Sequence, residues 1–409
     1  MSRIVLGVSG GIAAYKACLL LRLLVEAGHD VVVVPTANAL EFVGRTTWAA
    51  LSGHPVHTDV FSDAEQVPHV RLGQQADLVV VAPATADLIS RAATGRADDL
   101  LTNVLLTAHC PVLMVPAMHT EMWLHPATQA NVATLRSRGV AVMEPATGRL
   151  AGADSGPGRM PEPDDIEQLA VSMLADPGVA ERMAARDLAG KRVLVSAGGT
   201  REALDPVRYV GNSSSGRMGL ALAGAAAARG AEVTVVTANV ALPLPSGVDA
   251  VAVVSTADLA AAMLERAPGA DIIVMAAAPA DFTPLTPSSG KIKKAGEAGL
   301  TVEFAQTVDV LKTLSARRRE GQVVVGFAAE TASDPAELLA LGQAKLARKG
   351  CQLLVLNDVS GGRIFGKAAT EVIVISPQGV LATVAASKSA VAHAILDAAL
   401  TIPAERKPE

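Results

Sequence analysis

Two stretches of this sequence put glycine, hydroxyl and cationic side chains where an apolar strand gives way to a helix. The first is Ser9-Gly10-Gly11, directly after Ile4–Val8. A glycine loop at that place lets backbone N–H groups approach a phosphate at the helix N-terminus, though glycines also simply make tight turns. The second runs from Gly198-Gly199, after Val193–Ala197, through Arg208 and Asn212 to Ser213-Ser214-Ser215-Gly216. A guanidinium, an amide and three hydroxyls before a helix make a phosphate seat; capping alone needs fewer hydroxyls.

Other candidates flank these loops. Ala82-Pro83-Ala84-Thr85-Ala86-Asp87 follows an apolar run, with Thr85 placed to contact a ligand or to cap a helix. Pro116-Ala117-Met118-His119-Thr120-Glu121-Met122 follows the next run, and its methionines are either ligand contacts or core filler. His69 has the side chain best suited to proton transfer near neutrality, although a lone histidine is more often structural. Lys291-Ile292-Lys293-Lys294 follows Asp281; three lysines on a loop can close over a triphosphate, or form a solvated charge run. Asp281 and Asp309 are candidate Mg2+ ligands. No cluster suggests zinc.

These residues need strands and helices to position them. The order strand, glycine loop, helix, Val-rich strand occurs twice: in residues 1–37 and from Lys191 to Ala238. The helices of the two units end at Gly28 and Gly230, and the following strands are Val31–Ala37 and Val233–Ala238. The pattern predicts α/β architecture: two doubly wound, Rossmann-like domains, residues 1–189 and 190–409. In the first, further strands are expected at Ala76–Ala82, Pro111–Pro116 and Val140–Met143, a helix over Ile166–Ala175, and a long loop or flap over 144–165. The first helix, from Ile12, is expected to bury Ile12, Leu19, Leu20, Leu23 and Leu24 and to leave Lys16, Arg22 and Glu26 on its surface. In the second, strands are expected at 193–197, 232–237, 251–254, 271–276, 322–327, 352–356 and 371–376, with loops over Pro284–Leu300 and Asp358–Ala369 and a frayed tail from Pro403. Neither glycine loop is GxGxxG, and neither second strand ends in an acid for a ribose hydroxyl. That argues for mononucleotides over a nicotinamide dinucleotide.

Composition narrows the classes. The formal net charge is −5 and aromatics make up 2% of 409 residues, which disfavours a nucleic-acid partner and a base-stacking platform. Three dispersed cysteines suit a reducing, cytoplasmic setting without disulfides. Charges interrupt the apolar start, so neither a signal peptide nor a membrane span is expected.

The motifs resemble, nearly end to end, the family of bifunctional bacterial phosphopantothenoylcysteine decarboxylase/phosphopantothenate–cysteine ligases of coenzyme A synthesis. In the first half SGGIAAYK, HVRLGQQADLVVVAPATADLI, PAMHTEM and GPGRM carry the likeness, and in the second GGTRE, DPVRYVGNSSSGRMG, AAAPADF, GKIKK, VGFAAET and LVLNDVS. The resemblance implies a ligase that activates 4′-phosphopantothenate with CTP as an acyl cytidylate and lets cysteine displace CMP. It then implies an FMN-dependent decarboxylase, in which oxidation of the cysteinyl thiol to a thioaldehyde creates the electron acceptor that loss of CO2 requires. His69 matches the catalytic histidine. Ser9, Gly10, Gly11, Ile12, Thr36, Ala84, Thr85, Ala86 and Met118 match FMN-contacting positions, and His119 and Met122 substrate positions. Asn212 matches the contact to the acyl cytidylate, with Arg208 nearby. Lys291, Phe327, Lys345, Lys349, Asp281 and the segment Val308-Asp309-Val310-Leu311 match the CTP site, with Mg2+ accompanying CTP. The family also implies homo-oligomers, with trimeric flavin domains and dimeric ligase domains combining into a dodecamer.

Three departures stand out. His119 replaces the asparagine that holds the substrate carboxylate. The flap, Leu150-Ala151-Gly152-Ala153-Asp154-Ser155-Gly156, lacks the cysteine that protonates the enethiol, which leaves Asp154, Ser155 or a donor elsewhere to supply the proton. Residues 307–311 read TVDVL where an Asn-Pro-Asp-type segment is usual. The first two leave open a ligase whose flavin half serves only assembly.

Overall fold

The computed structural model describes residues 1–58, 68–149, 155–293, 299–358 and 369–403. The chain divides into two compact units, Met1–Asp187 with Ala228–Gly230 and Leu188–Ala227 with Ala231–Glu409.

In the first unit, near-continuous aliphatic runs form strands β1 (Arg3–Val8), β2 (Asp30–Pro35), β3 (Leu78–Ala84), β4 (Val112–Pro116) and β5 (Ala141–Val142). They pair in parallel in the order β2-β1-β3-β4-β5. Such strands are apolar on both sides because both faces are covered. Ile4, Leu6 and Val8 face a core shared with α1 (Ala14–Glu26), and Val5 faces the opposite core. The other helices are α2 (Ala37–Leu40), α3 (Arg45–Ser52), α4 (Pro68–Gln75), α5 (Ala86–Thr94), α6 (Leu100–Thr107), α7 (Thr120–Leu124), α8 (Pro126–Ser137), α9 (Pro163–Ala175) and α10 (Gly178–Ala185). Chain order reverses between β1 and β3, so their loops diverge and leave a crevice at the carboxyl ends of the strands.

Helix α1 differs from expectation. It begins at Ala14 and buries Ala14, Lys16, Ala17, Leu20, Leu21 and Leu24, whereas Ile12 and Leu19 are exposed and Leu23 is only half-buried. The buried stripe runs Lys16-Leu20-Leu24, four residues apart, and polarity alone hides the lysine in it. The expected flap contains a hairpin, β6 (Ala146–Arg149) with β7 (Ser155–Arg159); Leu150–Asp154 lie outside the described residues. Between α9 and the start of the second unit lies the further helix α10.

The second unit holds β8 (Arg192–Gly198), β9 (Arg201–Ala203), β10 (Tyr209–Gly211), β11 (Glu232–Ala238), β12 (Val248–Val253), β13 (Ile272–Met275), β14 (Phe282–Pro284), β15 (Phe304–Gln306), β16 (Val323–Glu330), β17 (Leu353–Asp358), β18 (Ala369–Ser376) and β19 (Gly379–Ser387). Its helices are α11 (Arg217–Ala228), α12 (Thr256–Arg266), α13 (Val310–Arg317), α14 (Pro335–Lys349) and α15 (Lys388–Thr401). The main sheet runs β12-β11-β8-β13-β16-β17-β18-β19. The first six strands are parallel, in the doubly wound order 3-2-1-4-5-6, and the last two are antiparallel. Strand β19 goes beyond the expected set, as do the short pairs β9–β10 and β14–β15. Order reverses between β8 and β13, which places this unit's crevice beside Gly198-Gly199.

Gly219 lets α11 lie directly on β8: a Cβ there would stand 2.6 Å from the Ala197 Cβ and 2.7 Å from the Ser196 carbonyl oxygen. Gly219→Ala is therefore expected to destabilise the second unit by about 1–3 kcal/mol, the cost of overpacking. Chemical denaturation of the variant against the wild type measures it.

Candidate functional site

At the first crevice one buried hydroxyl joins the two loops. The Ser9 hydroxyl donates to the Pro83 carbonyl (2.7 Å) and accepts from the Thr85 backbone N–H (2.9 Å). Thr85 then caps α5, accepting from the Leu88 N–H at 3.4 Å. Thr36, also buried, caps α2 and fixes the turn after β2. Gly10 is pressed against that turn, since a Cβ there would lie 2.4 Å from the Asn38 Cβ. Ser9, Gly10, Gly11, Thr36 and Thr85 thus sit on the loops at one end of the sheet, Thr85 between the last residue of β3, Ala84, whose side chain is buried in the core, and the first of α5, Ala86. Ile12 projects from it, 63% exposed.

The hairpin β6–β7 packs on the loop after β4. The Met118 N–H donates to the Gly158 carbonyl (2.9 Å), and a Cβ on Gly158 would meet the Met118 carbonyl oxygen at 2.3 Å. Gly156 stands equally close to Thr120. The glycines in GPGRM therefore let the flap strand touch the segment carrying Met118, His119 and Met122. His119 precedes α7 without using its side chain as a cap, and both His119 and Met122 are exposed. Lys16, read from sequence as a surface residue, anchors the strand leaving the flap: its buried ammonium donates to the Met160 carbonyl (3.2 Å) and to Glu162 (3.0 Å). Nearby, burial and the carboxylates of Asp164 and Glu162 push Asp165 up to about 6, against the opposing effect of Lys16.

His69 lies at the start of α4. Its backbone carbonyl accepts from Thr107 of α6 (2.9 Å), and its buried Nδ1 has no hydrogen-bond partner among the described residues. No hydrogen bond among the described residues joins it to the β1 or β3 loops. Asp154 lies outside the described residues, and Ser155 is exposed at the start of β7.

The second crevice repeats the hydroxyl tie. Thr200, fully buried, accepts from the Ala280 N–H (2.8 Å) and exchanges a hydrogen bond with Thr256 (2.9 Å). Glu202 accepts from the Thr256 N–H at 2.8 Å. The loop after β13 is thereby fixed to the loop after β8. Asn212 is exposed on that rim, and its amide donates to the Pro279 carbonyl at 2.8 Å.

Arg208 and the lysine loop meet at Asp205. That carboxylate accepts from the N–H groups of Val207 and Arg208 (both 2.8 Å), from Arg208 Nε and Nη2 (3.0 and 2.6 Å) and from the Ile292 N–H (3.1 Å). Burial would raise this carboxyl, but these donors outweigh it and hold it far below the usual carboxylate range. Lys291 and Lys293 flank Ile292; Lys294 lies outside the described residues. On the neighbouring loops, Asp309 caps α13 through the Lys312 N–H (3.0 Å) and pairs with Lys349 (2.5 Å), while Lys345 pairs with Glu330 at 2.8 Å. Val308 and Asp281 are exposed, but Val310 and Leu311 are buried in the core. Only the backbone of those two can meet a ligand. Phe327 is half-buried in the middle of β16. Among the described residues, no three His, Cys, Asp or Glu side chains converge on a metal position.

Asp205, Lys16, Thr200 and Glu330 do not stand out in the sequence as site residues. Asp205-Pro206 is a turn signal, but its second acceptor oxygen serves a loop 87 residues away, which spacing cannot show.

Comparison with known proteins defines the class first. Residues 1–175 match the family described as Flavoprotein, and residues 188–402 that described as DNA/pantothenate metabolism flavoprotein C-terminal domain. The coenzyme A biosynthesis bifunctional protein CoaBC of Mycobacterium tuberculosis is 54% identical over 408 residues, covering 98% of this chain and 96% of that one. The chain belongs to this family of bifunctional coenzyme A biosynthesis enzymes, which joins a decarboxylase to a ligase. Among solved structures, the C-terminal domain of a CoaBC protein is 33% identical with a TM-score of 0.43, covering 52% of this chain and 95% of that one. The FMN-dependent cysteine decarboxylase SpaF is 35% identical with a TM-score of 0.35, covering 39% and 90%.

Two variants check this geometry. Ser9→Ala leaves the Thr85 N–H without its acceptor and is expected to destabilise the first unit by about 1–3 kcal/mol, with loss of bound flavin read by absorbance. Asp165 is raised in the folded state, so its contribution is present at low pH and lost as pH rises through about 6. Asp165→Asn is therefore expected to raise the thermal midpoint above about pH 7 and to leave it unchanged below about pH 4.

Proposed function

We propose that residues 190–409 condense 4′-phosphopantothenate with cysteine at the expense of CTP, and that residues 1–189 decarboxylate the product to 4′-phosphopantetheine with FMN. Two observations support the ligase assignment: the Asn212 amide held to the Pro279 carbonyl at the rim of the second crevice, and the Arg208 guanidinium joined to the Lys291 loop through Asp205. In this reading the substrate carboxylate attacks the α-phosphorus of CTP and pyrophosphate leaves. The cysteine amine then attacks the acyl carbon and CMP leaves. Lys291 neutralises charge developing on the phosphates, and Asn212 holds the acyl cytidylate. Lys345 and Lys349 supply further positive charge, each balanced by a carboxylate until nucleotide arrives. Mg2+ would enter with CTP, held mainly by phosphate oxygens with Asp281 as the protein carboxylate at hand, a common arrangement for this ion.

The residues of the first crevice fit FMN: a glycine loop, a helix N-terminus after it and a small side chain at Ala86 admit a phosphate and a flat ring. Bound there, FMN supplies the two-electron oxidation that makes loss of CO2 feasible. The protein's part is to hold the carboxylate, exclude water under the β6–β7 hairpin and move protons. His69 is the proton-transfer group in this reading, and His119, whose imidazole is not used as a cap, donates to the substrate carboxylate. A homo-oligomer, which the family resemblance implies, is part of the same reading.

His69→Ala is expected to lower CO2 release from 4′-phosphopantothenoylcysteine by about 10²–10⁴-fold while CMP release stays at the wild-type rate. His119→Asn is expected to retain decarboxylation and His119→Ala to lose most of it. Mass spectrometry of the products checks all three. Accumulation of 4′-phosphopantothenoylcysteine by the wild type would instead leave a ligase with an inactive flavin half.

A further inference from the structure

We infer that Asp205 is a positioning residue for the ligase reaction, setting the Lys291 loop and the Arg208 guanidinium as one unit; this rests on the ligase reading of the second crevice. Asp205 lies in the turn between β9 and β10, yet it is only 3% exposed. Its two oxygens serve different ends. Oδ1 accepts from Val207 and Arg208 N–H, which closes the turn. Oδ2 accepts from Arg208 Nε and Nη2 and from the Ile292 N–H, beyond anything a turn needs.

Five donors fill the roughly four lone-pair positions of a carboxylate. Asp205 therefore has no capacity left for substrate, metal or proton, and its effect on chemistry must pass through the groups it holds. The loop is fixed at three points: the Ser288 N–H donates to the Leu204 carbonyl (3.0 Å), the Ile292 N–H to Asp205, and Arg208 Nη2 to the Ile292 carbonyl. Lys291 sits between the first and the other two. Arg208 has Nε and Nη2 engaged, so the two N–H groups of Nη1 are those left to meet an anion, and one nitrogen cannot offer the two-nitrogen fork of a free guanidinium. Because the carboxyl stays ionised far below neutrality, the clamp persists across the working pH range.

The test uses the full-length, flavin-loaded enzyme and CMP release. Asp205→Asn keeps the Oδ1 acceptor and turns an amide N–H2 toward the donors that Oδ2 receives. It is expected to lower kcat about 10²-fold, the scale of a small misplacement of a reacting group. Flavin absorbance is expected to stay near wild type, the unfolding midpoint to fall because three donors lose their acceptor while the enzyme stays folded at the assay temperature, and tryptic cleavage after Lys291 and Lys293 to accelerate. The double variant with Lys291→Ala is expected to be no more than about 3-fold slower than Lys291→Ala alone, the mark of action through that lysine. Multiplicative losses in the double variant, or wild-type kcat in Asp205→Asn, would overturn the inference. Unimpaired CMP release by Lys291→Ala would instead overturn the reading of the loop on which it rests. If Asp205→Asn does not fold, Asp205→Ser, whose hydroxyl can still close the turn, is read by the same criteria.

Discussion

Both halves of this protein depend on the same physical constraint, a buried hydroxyl that bridges the crevice where strand order reverses. A doubly wound sheet separates two loops there, and separation alone leaves backbone N–H groups and carbonyls unpaired near the core. Ser9 and Thr200 each supply one side chain that accepts an N–H from across the gap, Thr85 in the first unit and Ala280 in the second. Each hydroxyl is essentially out of solvent, where an unmade hydrogen bond costs most. The crevices are therefore preformed, and the loops around them differ according to the chemistry each serves.

In the first unit the surroundings are glycine and alanine, and the cover is a hairpin whose glycines touch the Met118–Thr120 segment. Close backbone approach suits a large flat ring. In the second unit the surroundings are lysine and arginine balanced by Asp205, Asp309 and Glu330. Each of these carboxylates holds its cation in place within the unit. One chain thus carries two crevices built on the same hydroxyl tie, one bordered by small residues and one by paired cations.

Much of the fold was legible in the sequence because parallel strands buried on both faces read as unbroken aliphatic runs; Leu78–Ala84 and Ile272–Met275 leave little alternative. The glycine loops and the serine cluster marked the strand-to-helix junctions. What escaped detection was set by tertiary contact. Lys16 reads as a surface charge until Met160 and Glu162 are seen around it. Ile12 and Leu19 read as core, but the stripe that faces the sheet is one residue position removed. Asp205 reads as a turn former, and its clamp on Ile292 joins segments far apart in sequence. The short strands β9, β10, β14 and β15 have three residues each, too few for a period to show.

The central claim is that one chain performs the two reactions in succession. The direct measurement supplies 4′-phosphopantothenate, CTP, Mg2+ and cysteine labelled in its carboxyl carbon, and follows CMP and labelled CO2 together. The account predicts equal amounts of both, with 4′-phosphopantetheine as the product. CMP without labelled CO2 would contradict the redox role of the first crevice, and labelled CO2 without CMP would contradict the nucleotide role of the second.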